Sequence, residues 1–173
     1  NDPPKYFARD IEINHKGYDS FEKVMAKNLQ PISVAALKEL LKNESTRVID
    51  TRNAAEFEKG LIPQSLFIGL DGAFAATTAG LLDPGMQLVL ITESGRESEA
   101  ISRLAAVGFE NVAGYLDGGF NSWLNAGEPF DFIKSISAED FEERFRYNSC
   151  TALDVRNPDE WIPGFVAGAK LIA

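Results

Sequence analysis

An apolar run followed by a glycine turn and a helical pattern constrains the fold of this chain more than any other segment. The run from Met86 to Ile91 is typical of a buried strand, and Ser94-Gly95 follows it as a tight turn. Beyond the turn, apolar and small residues recur at helical spacing over 97–107. A strand, a loop and a helix in this order predict an α/β fold.

Strand and helix signals alternate through the rest of residues 31–130. Ser33 is a typical N-cap for an apolar-faced helix, and Gly60 and Gly108 are placed to end two others. This alternation predicts an open, mostly parallel sheet flanked by helices. Strands are expected at 46–51, 66–70, 86–91 and 111–116, and helices at 34–41, 53–59, 73–80, 97–107 and 120–124.

An internal repeat gives the domain organisation. The residues Asp50, Arg52, Asn53 and Glu56 recur 104 positions later as Asp154, Arg156, Asn157 and Glu160. At that spacing, ten of the 38 positions aligned between 32–69 and 136–173 are identical, without a gap. The repeat predicts one full unit at 31–130 and, at 131–173, the start of a second that is cut short.

Residues 1–30 follow neither pattern. They begin with a Pro-rich, linker-like segment and continue with apolar residues that show no clear period. We expect them to form an arm or linker that packs against another domain.

Composition excludes several classes of function. The chain has 26 acidic and 17 basic residues and a net charge of −9, which excludes a nucleic-acid partner. No apolar stretch approaches the roughly 20 residues that span a bilayer, so no membrane association is expected. A single cysteine excludes an intramolecular disulfide and fits a cytoplasmic location. One histidine and one cysteine cannot form the usual zinc site, so no metal or cofactor is expected in this chain.

The loop after the 86–91 strand has the geometry of an anion or thiolate site. Backbone N–H groups and the positive end of a helix dipole would point at one place there. A thiolate at the first loop position would support sulfur or phosphoryl transfer, but that position is Thr92. No histidine or lysine lies nearby in sequence to act as its base, so Thr92 is interpreted as a residue that hydrogen-bonds the loop backbone and ends the strand.

Two interpretations of the same loop stay open. Ser94, Gly95 and Arg96 would form a weak anion site at the start of the helix. Alternatively, the carboxylates of Glu93, Glu97 and Glu99 stabilise the helix dipole in place of a bound anion.

The repeated Asp-x-Arg pairs are interpreted as structural. Alternate residues on a strand share a face, so Asp50 with Arg52, and Asp154 with Arg156, would form ion pairs that brace a loop. Glu56 and Glu160 are expected to join these networks.

Taken together, the motifs of residues 32–127 resemble the rhodanese, or sulfurtransferase, homology domain. In the order of that family they are Asp50-x-Arg52 with Glu56-Phe57, Gly60-Leu-Ile62-Pro63, the Ser94-Gly95-Arg96 loop, Gly108-Phe109-x-Asn111-Val112, and Leu116-x-Gly118-Gly119-Phe120-x-x-Trp123. The resemblance implies a rhodanese-like α/β sheet. It also implies that the first loop residue should be a cysteine that carries a persulfide.

This chain departs from the family pattern where the chemistry occurs. Thr92 replaces the cysteine, Glu93 and Glu97 stand where arginines are common, and Leu61 replaces a usual histidine. The resemblance therefore implies a catalytically degenerate module with a structural or interaction role. The alternatives are an active thiosulfate or persulfide sulfurtransferase and a domain that senses a small oxyanion.

The arm carries a second resemblance. Pro3-Pro4-x-Tyr6-Phe7 and Ile13-Asn14-x-x-Gly17 resemble the end of the catalytic domain in proteins that fuse a metallo-β-lactamase-fold hydrolase or persulfide dioxygenase to two rhodanese domains. This implies a parent enzyme with Zn or Fe bound upstream of the chain. The expected partners are that upstream metallo-domain, the downstream rhodanese domain and, as a further alternative, a second copy of the chain.

Overall fold

The computed structural model describes residues 21–172, so that 1–20, which hold most of the predicted arm, lie outside the described residues. The chain divides into two compact units, with the boundary between Ile133 and Lys134. Both contain helices and parallel strands, and the prediction of an α/β fold is confirmed. Within 21–172, none of the helices has the length and apolar character needed to cross a membrane.

The first unit is built on a five-stranded sheet in the order β1-β5-β4-β2-β3, with all neighbouring strands parallel. Its strands are β1 (Pro31–Ile32), β2 (Thr46–Asp50), β3 (Leu66–Phe67), β4 (Gln87–Ile91) and β5 (Val112–Leu116). Its helices are α1 (Phe21–Asn28), α2 (Val34–Leu40), α3 (Ala54–Lys59), α4 (Phe74–Leu81), α5 (Glu97–Ala105) and α6 (Gly119–Asn125).

The central strand β4 explains why the apolar run in the sequence is continuous. Leu88 and Leu90 pack on one face of the sheet against a cluster that contains Phe74, while Val89 and Ile91 pack on the other face with Trp123. These four residues of β4 have no exposed surface. A strand that is covered by helices on both faces needs apolar residues at every position, not at alternate ones.

Two local features differ from the sequence expectation. The strand predicted at 66–70 ends at Phe67, although the Ile68 N–H still donates to the Asp50 carbonyl at 3.0 Å and the Leu70 N–H to the Thr51 carbonyl at 3.0 Å. Ile68 and Leu70 are nevertheless buried. In addition, α1, the described part of the predicted arm, is a helix on the first unit, where the Asn28 Nδ2 donates to the Glu110 carbonyl at 3.1 Å.

The second unit is small. It contains the helices α7 (Ala138–Arg146) and α8 (Pro158–Trp161) and two parallel strands, β6 (Leu153–Asp154) and β7 (Lys170–Leu171). Many of its apolar side chains are exposed, including Val155 and Ile162 at 74% and 83%. Two paired strands and two helices are too few to enclose a core of their own.

Candidate functional site

The loops that follow three parallel strands of the first unit meet at the carboxyl edge of its sheet. Residues of the loops after β2, β4 and β5 line a cleft of about 590 Å³ there. In open parallel sheets this edge is the usual position of a ligand site. A larger hollow of about 870 Å³ lies in the second unit, but it is open and mostly apolar, and it is lined by the exposed residues around β6.

A buried ion pair forms one wall of the cleft. The Arg52 Nε donates to Asp50 Oδ1 at 2.9 Å, and its Nη2 donates to Asp50 Oδ2 at 2.6 Å and to the Gly60 carbonyl at 2.7 Å. The Arg52 guanidinium also lies 4.5 Å from the centre of the Phe120 ring. These contacts satisfy the guanidinium and hold it in place, as expected for a structural pair.

The loop after β4 folds back on itself through one carboxylate. Gly95 adopts a φ of +87°, which favours glycine, and its N–H donates to Glu97 Oε1 at 3.2 Å. The N–H of Arg96 donates to the Glu93 carbonyl at 3.1 Å. Two of the loop amides that could face an anion therefore already have partners within the protein.

Thr92 lies at the floor of this loop. It is only 6% exposed and lines the cleft. A Cβ added to Gly119 would lie 3.3 Å from the Thr92 carbonyl, so the backbone after β5 approaches the end of β4 closely.

Arg96 does not line the cleft. Its Nη1 lies 2.8 Å from Asp71 Oδ1, and its Nε donates to Glu99 Oε2 at 3.0 Å. These bonds raise the pKa of Arg96 and lower that of Glu99, chiefly through the hydrogen bond between the two side chains. Of the three residues predicted to form an anion site, Ser94 and Gly95 line the cleft and Arg96 is engaged elsewhere.

The remaining predicted site residues take local partners. The Glu56 carboxylate accepts from Lys59 Nζ at 2.8 Å, a bond that lowers the pKa of Glu56, with a smaller contribution from the charge of Arg52. Glu93 Oε1 accepts from Asn53 Nδ2 at 3.0 Å. Both glutamates line the cleft, but neither forms a direct ion pair with Arg52.

The end of β5 and the start of α6 contribute residues that the sequence analysis did not assign to the site. Tyr115, Asp117 and Asn121 line the cleft together with Gly118 and Gly119, which adopt φ of +72° and +59°. The sequence contains a signal that could have identified these residues. A Gly-Gly pair directly after a parallel strand marks a backbone bend at the edge where the other loops meet.

The second unit repeats the local ion pair of the first. Arg156 Nε donates to Asp154 Oδ1 at 2.9 Å, and its Nη2 donates to the Gly164 carbonyl at 3.0 Å. The bond to Arg156 lowers the pKa of Asp154 to about 2. Glu160 accepts from the backbone N–H of Asn157 at 2.9 Å and so belongs to the start of α8.

A family model of the rhodanese-like domain matches residues 33–126, which is just over half of the chain and contains the cleft. The chain belongs to the rhodanese-like family. The parallel sheet, the loop after β4 and the Gly-Gly bend thus correspond to one rhodanese-like domain. No curated protein matches the chain significantly.

Solved structures show the same fold. The crystal structure of the Alr3790 protein from Anabaena sp. is 20% identical, with a TM-score of 0.54 over 69% of this chain and 94% of that one. The BH2092 protein from Bacillus halodurans is 19% identical, with a TM-score of 0.54 over 72% and 96%. A variant of EanB in complex with hercynine is 16% identical, with a TM-score of 0.54 over 90% of this chain and 42% of that protein.

Proposed function

We propose that this rhodanese-like domain is catalytically degenerate and serves as a structural or interaction module in a larger protein. One observation carries the proposal. The carboxylate of Glu97 occupies the Gly95 N–H in a loop whose first residue is Thr92 and not a cysteine. A threonine hydroxyl is a far weaker nucleophile than a thiolate unless a neighbouring base activates it.

The charges of the cleft support the same proposal. Its lining includes the four carboxylates of Glu56, Glu93, Glu97 and Asp117, against the single cation of Arg52. Arg52 is already paired with Asp50. Thiosulfate is a dianion, and like charges at short range in a partly enclosed cleft repel one another. Sulfur transfer from such a donor would be opposed at the binding step as well as at the chemical step.

The test is persulfide loading measured by intact-mass spectrometry after incubation with thiosulfate or polysulfide. Cys150 is the single cysteine in the chain, so any persulfide must form there. We expect no gain of sulfur in the wild type and no thiosulfate:cyanide sulfurtransferase turnover. A gain of one sulfur atom that disappears in Cys150→Ser, or any thiosulfate:cyanide sulfurtransferase turnover by the wild type, would contradict the proposal.

A gain-of-function series sharpens this test. Thr92→Cys restores a thiol at the first loop position, where the thiolate could attack the outer sulfur of thiosulfate and release sulfite. We expect Thr92→Cys to load sulfur slowly and Thr92→Cys/Glu93→Gln/Glu97→Gln to load it faster, since the second variant removes two repelling charges. Equal loading rates would show that the carboxylates do not oppose the donor.

We also propose that the parent is a fusion with an upstream metallo-β-lactamase-fold hydrolase or persulfide dioxygenase, followed by a second rhodanese domain. The arm motifs and the repeated Asp-x-Arg-Asn sequence support this organisation. An antibody raised against this domain, used on a denaturing gel of the source cells, should detect a protein well above 19.0 kDa. Detection at 19 kDa alone would contradict the fusion.

A further inference from the structure

We propose that the second unit is completed in the parent protein by a downstream strand and helix that correspond to β4 and α6 of the first unit. They cover the β6 surface, which we define as the edge of β6 opposite β7 together with Leu153, Arg156, Gly164 and Val166. The inference rests on the downstream rhodanese domain proposed above and names the residues of this chain that this domain buries. The first unit supplies the argument, because it contains both the equivalent surface and the segment that covers it.

The strands β2 and β6 have the same pairing on one edge. Ile49 of β2 pairs with Leu66 of β3, and 104 positions later Leu153 of β6 pairs with Lys170 of β7. The opposite edge of β2 pairs in parallel with β4 along its whole length, whereas that edge of β6 has no neighbour among the strands within 21–172. An open strand edge presents N–H and C=O groups to which another strand can bond. The occupant therefore supplies a strand in the position of β4.

The apolar side chains around this edge differ in burial between the two units. Ile49 has no exposed surface and belongs to the cluster that contains alternate residues of β4, but its counterpart Leu153 is 57% exposed. Ile62 is 1% exposed and belongs to the cluster on the other face of β4, but its counterpart Val166 is 44% exposed. The occupying strand therefore carries apolar side chains on both faces, as β4 does.

An aromatic ring covers the arginine and the glycine of the first unit. The Phe120 ring of α6 has its centre 4.5 Å from the Arg52 guanidinium, and a Cβ at Gly60 would lie 2.6 Å from its Cε1. In the second unit Arg156 still donates to the Gly164 carbonyl at 3.0 Å, but a Cβ at Gly164 would meet no atom within 4 Å. The occupying helix therefore places an aromatic ring against these two residues, where it also contacts the cation through its face.

A second copy of this chain fits the β6 surface less well. The β4 strand of a folded copy is enclosed between β2 and β5 and has no edge to offer. A downstream segment of the parent has no such restriction. We expect its aromatic residue to follow Arg156 at about the sequence separation between Arg52 and Phe120.

The experiment is pulse labelling of Cys150 with N-ethylmaleimide, in the 173-residue chain and in the native parent isolated from the source cells. Cys150 is partly exposed, whereas its counterpart Thr46 is 3% exposed and donates to Gln87 of β4 at 3.2 Å. Labelling is measured by mass spectrometry on the tryptic peptide 147–156. Because exposure controls thiol reactivity, we expect labelling on the order of tenfold slower in the parent.

Three alanine variants connect the protection to the β6 surface. In the recombinant parent, Leu153→Ala and Val166→Ala remove apolar contacts with the occupant and should each speed labelling of Cys150 by about threefold or more. In the 173-residue chain both side chains are largely exposed, so the same changes should leave the rate unchanged. Ile162→Ala is the matched control. Ile162 is exposed and corresponds to Glu58, which lies outside both clusters, so the rate should stay unchanged in either protein.

Three outcomes would overturn the inference. They are equal labelling rates in the chain and in a larger parent, equal rates in all three alanine variants of the parent, and protection in the 173-residue chain that increases with protein concentration, which would assign the surface to a second copy. Detection at 19 kDa alone overturns the fusion and this inference together. Persulfide loading of the 173-residue chain tests the loss of sulfur transfer and does not depend on any of these results.

Discussion

The pair Asp50–Arg52 in the first unit and the pair Asp154–Arg156 in the second have nearly the same geometry in opposite surroundings. The Nη2–Oδ2 distance is 2.6 Å in both pairs. Each Nη2 also donates to the carbonyl of the glycine eight residues after the arginine, at 2.7 Å to Gly60 and at 3.0 Å to Gly164. The side chains are 9% and 0% exposed in the first pair but 42% and 10% exposed in the second.

This comparison separates local from long-range determinants. The sequence Asp-x-Arg-Asn forms the same ion pair in both units, and in each the aspartate also accepts from the arginine backbone N–H, at 3.1 Å in the first unit and 3.2 Å in the second. Burial comes from other segments. In the first unit β2 lies between β3 and β4, whereas β6 pairs with β7 alone among the described strands. The same local structure should therefore contribute differently to stability in the two units.

The largest expected difference concerns removal of the aspartates. Asp50→Ala leaves the Arg52 guanidinium buried without its counter-ion, and we expect it to lower the free energy of unfolding of the first unit by about 3–5 kcal/mol. The measurement is urea unfolding followed by Trp123 fluorescence in a Trp161→Phe background, since the chain has two tryptophans.

Asp154→Ala is the matched control for Asp50→Ala. Arg156 is partly exposed and can be solvated when its partner is removed. The Trp123 transition should therefore keep its midpoint in Asp154→Ala. Equal shifts in the two variants would show that burial does not separate the two pairs.

Replacing the glycines whose carbonyls accept from the two arginines should cost different amounts of stability, for steric reasons. A Cβ at Gly60 would lie 2.6 Å from Phe120 Cε1, so we expect Gly60→Ala to cost about 1–3 kcal/mol through overpacking. A Cβ at Gly164 would meet no atom within 4 Å, and the cost there comes from its φ of +142° alone. The same denaturation experiment measures the first cost. Adding Phe120→Leu should recover stability in Gly60→Ala, and a failure to recover would contradict the steric explanation.

Removing the asparagine at the helix start after each ion pair should produce a smaller difference in stability between the two units. Asn53 Oδ1 accepts from the Glu56 N–H at 3.0 Å, and Asn53→Ala should destabilise the first unit by about 1 kcal/mol. In the second unit Asn157 and Glu160 form a capping box, and the Asn157 backbone N–H donates to the Glu160 carboxylate at 2.9 Å, so Asn157→Ala keeps one of the two bonds and should cost less. Thermal unfolding of the two variants checks this. A larger loss in Asn157→Ala would contradict it.

Sequence predicted the features that depend on neighbours in the chain. The Ser33 cap is present, with the Ala36 N–H donating to its Oγ at 3.2 Å, and the buried strand at 86–91 is found as β4. The loop at 92–97 follows β4 and precedes α5, in the strand–loop–helix order that the sequence predicts. These features follow from capping, periodicity and glycine turns within a few residues.

Features that depend on distant partners were not predicted. The position of Arg96 is set by Asp71, which lies 25 residues earlier on the loop before α4, and nothing in the local pattern indicates that pairing. The early end of β3, after which the Leu70 N–H bonds to Thr51 beyond the end of β2, is also not indicated by the local sequence. The cleft likewise combines loops that only the strand order of the sheet brings together.

The smallest expected effect is a pH dependence of the exposed Asp154–Arg156 pair, set by the carboxyl group of Asp154. The hydrogen bond from Arg156 lowers the pKa of Asp154 to about 2 from an ordinary value of 3.8. Because the folded pKa lies below the unfolded one, the pair stabilises its turn fully above about pH 4 and is lost as pH falls towards 2. The carboxyl carbon of Asp154 and the amide of Arg156, followed by NMR, should titrate together near pH 2. In Arg156→Gln the midpoint should rise towards 3.8, and an unchanged midpoint would show that the exposed pair does not form in solution.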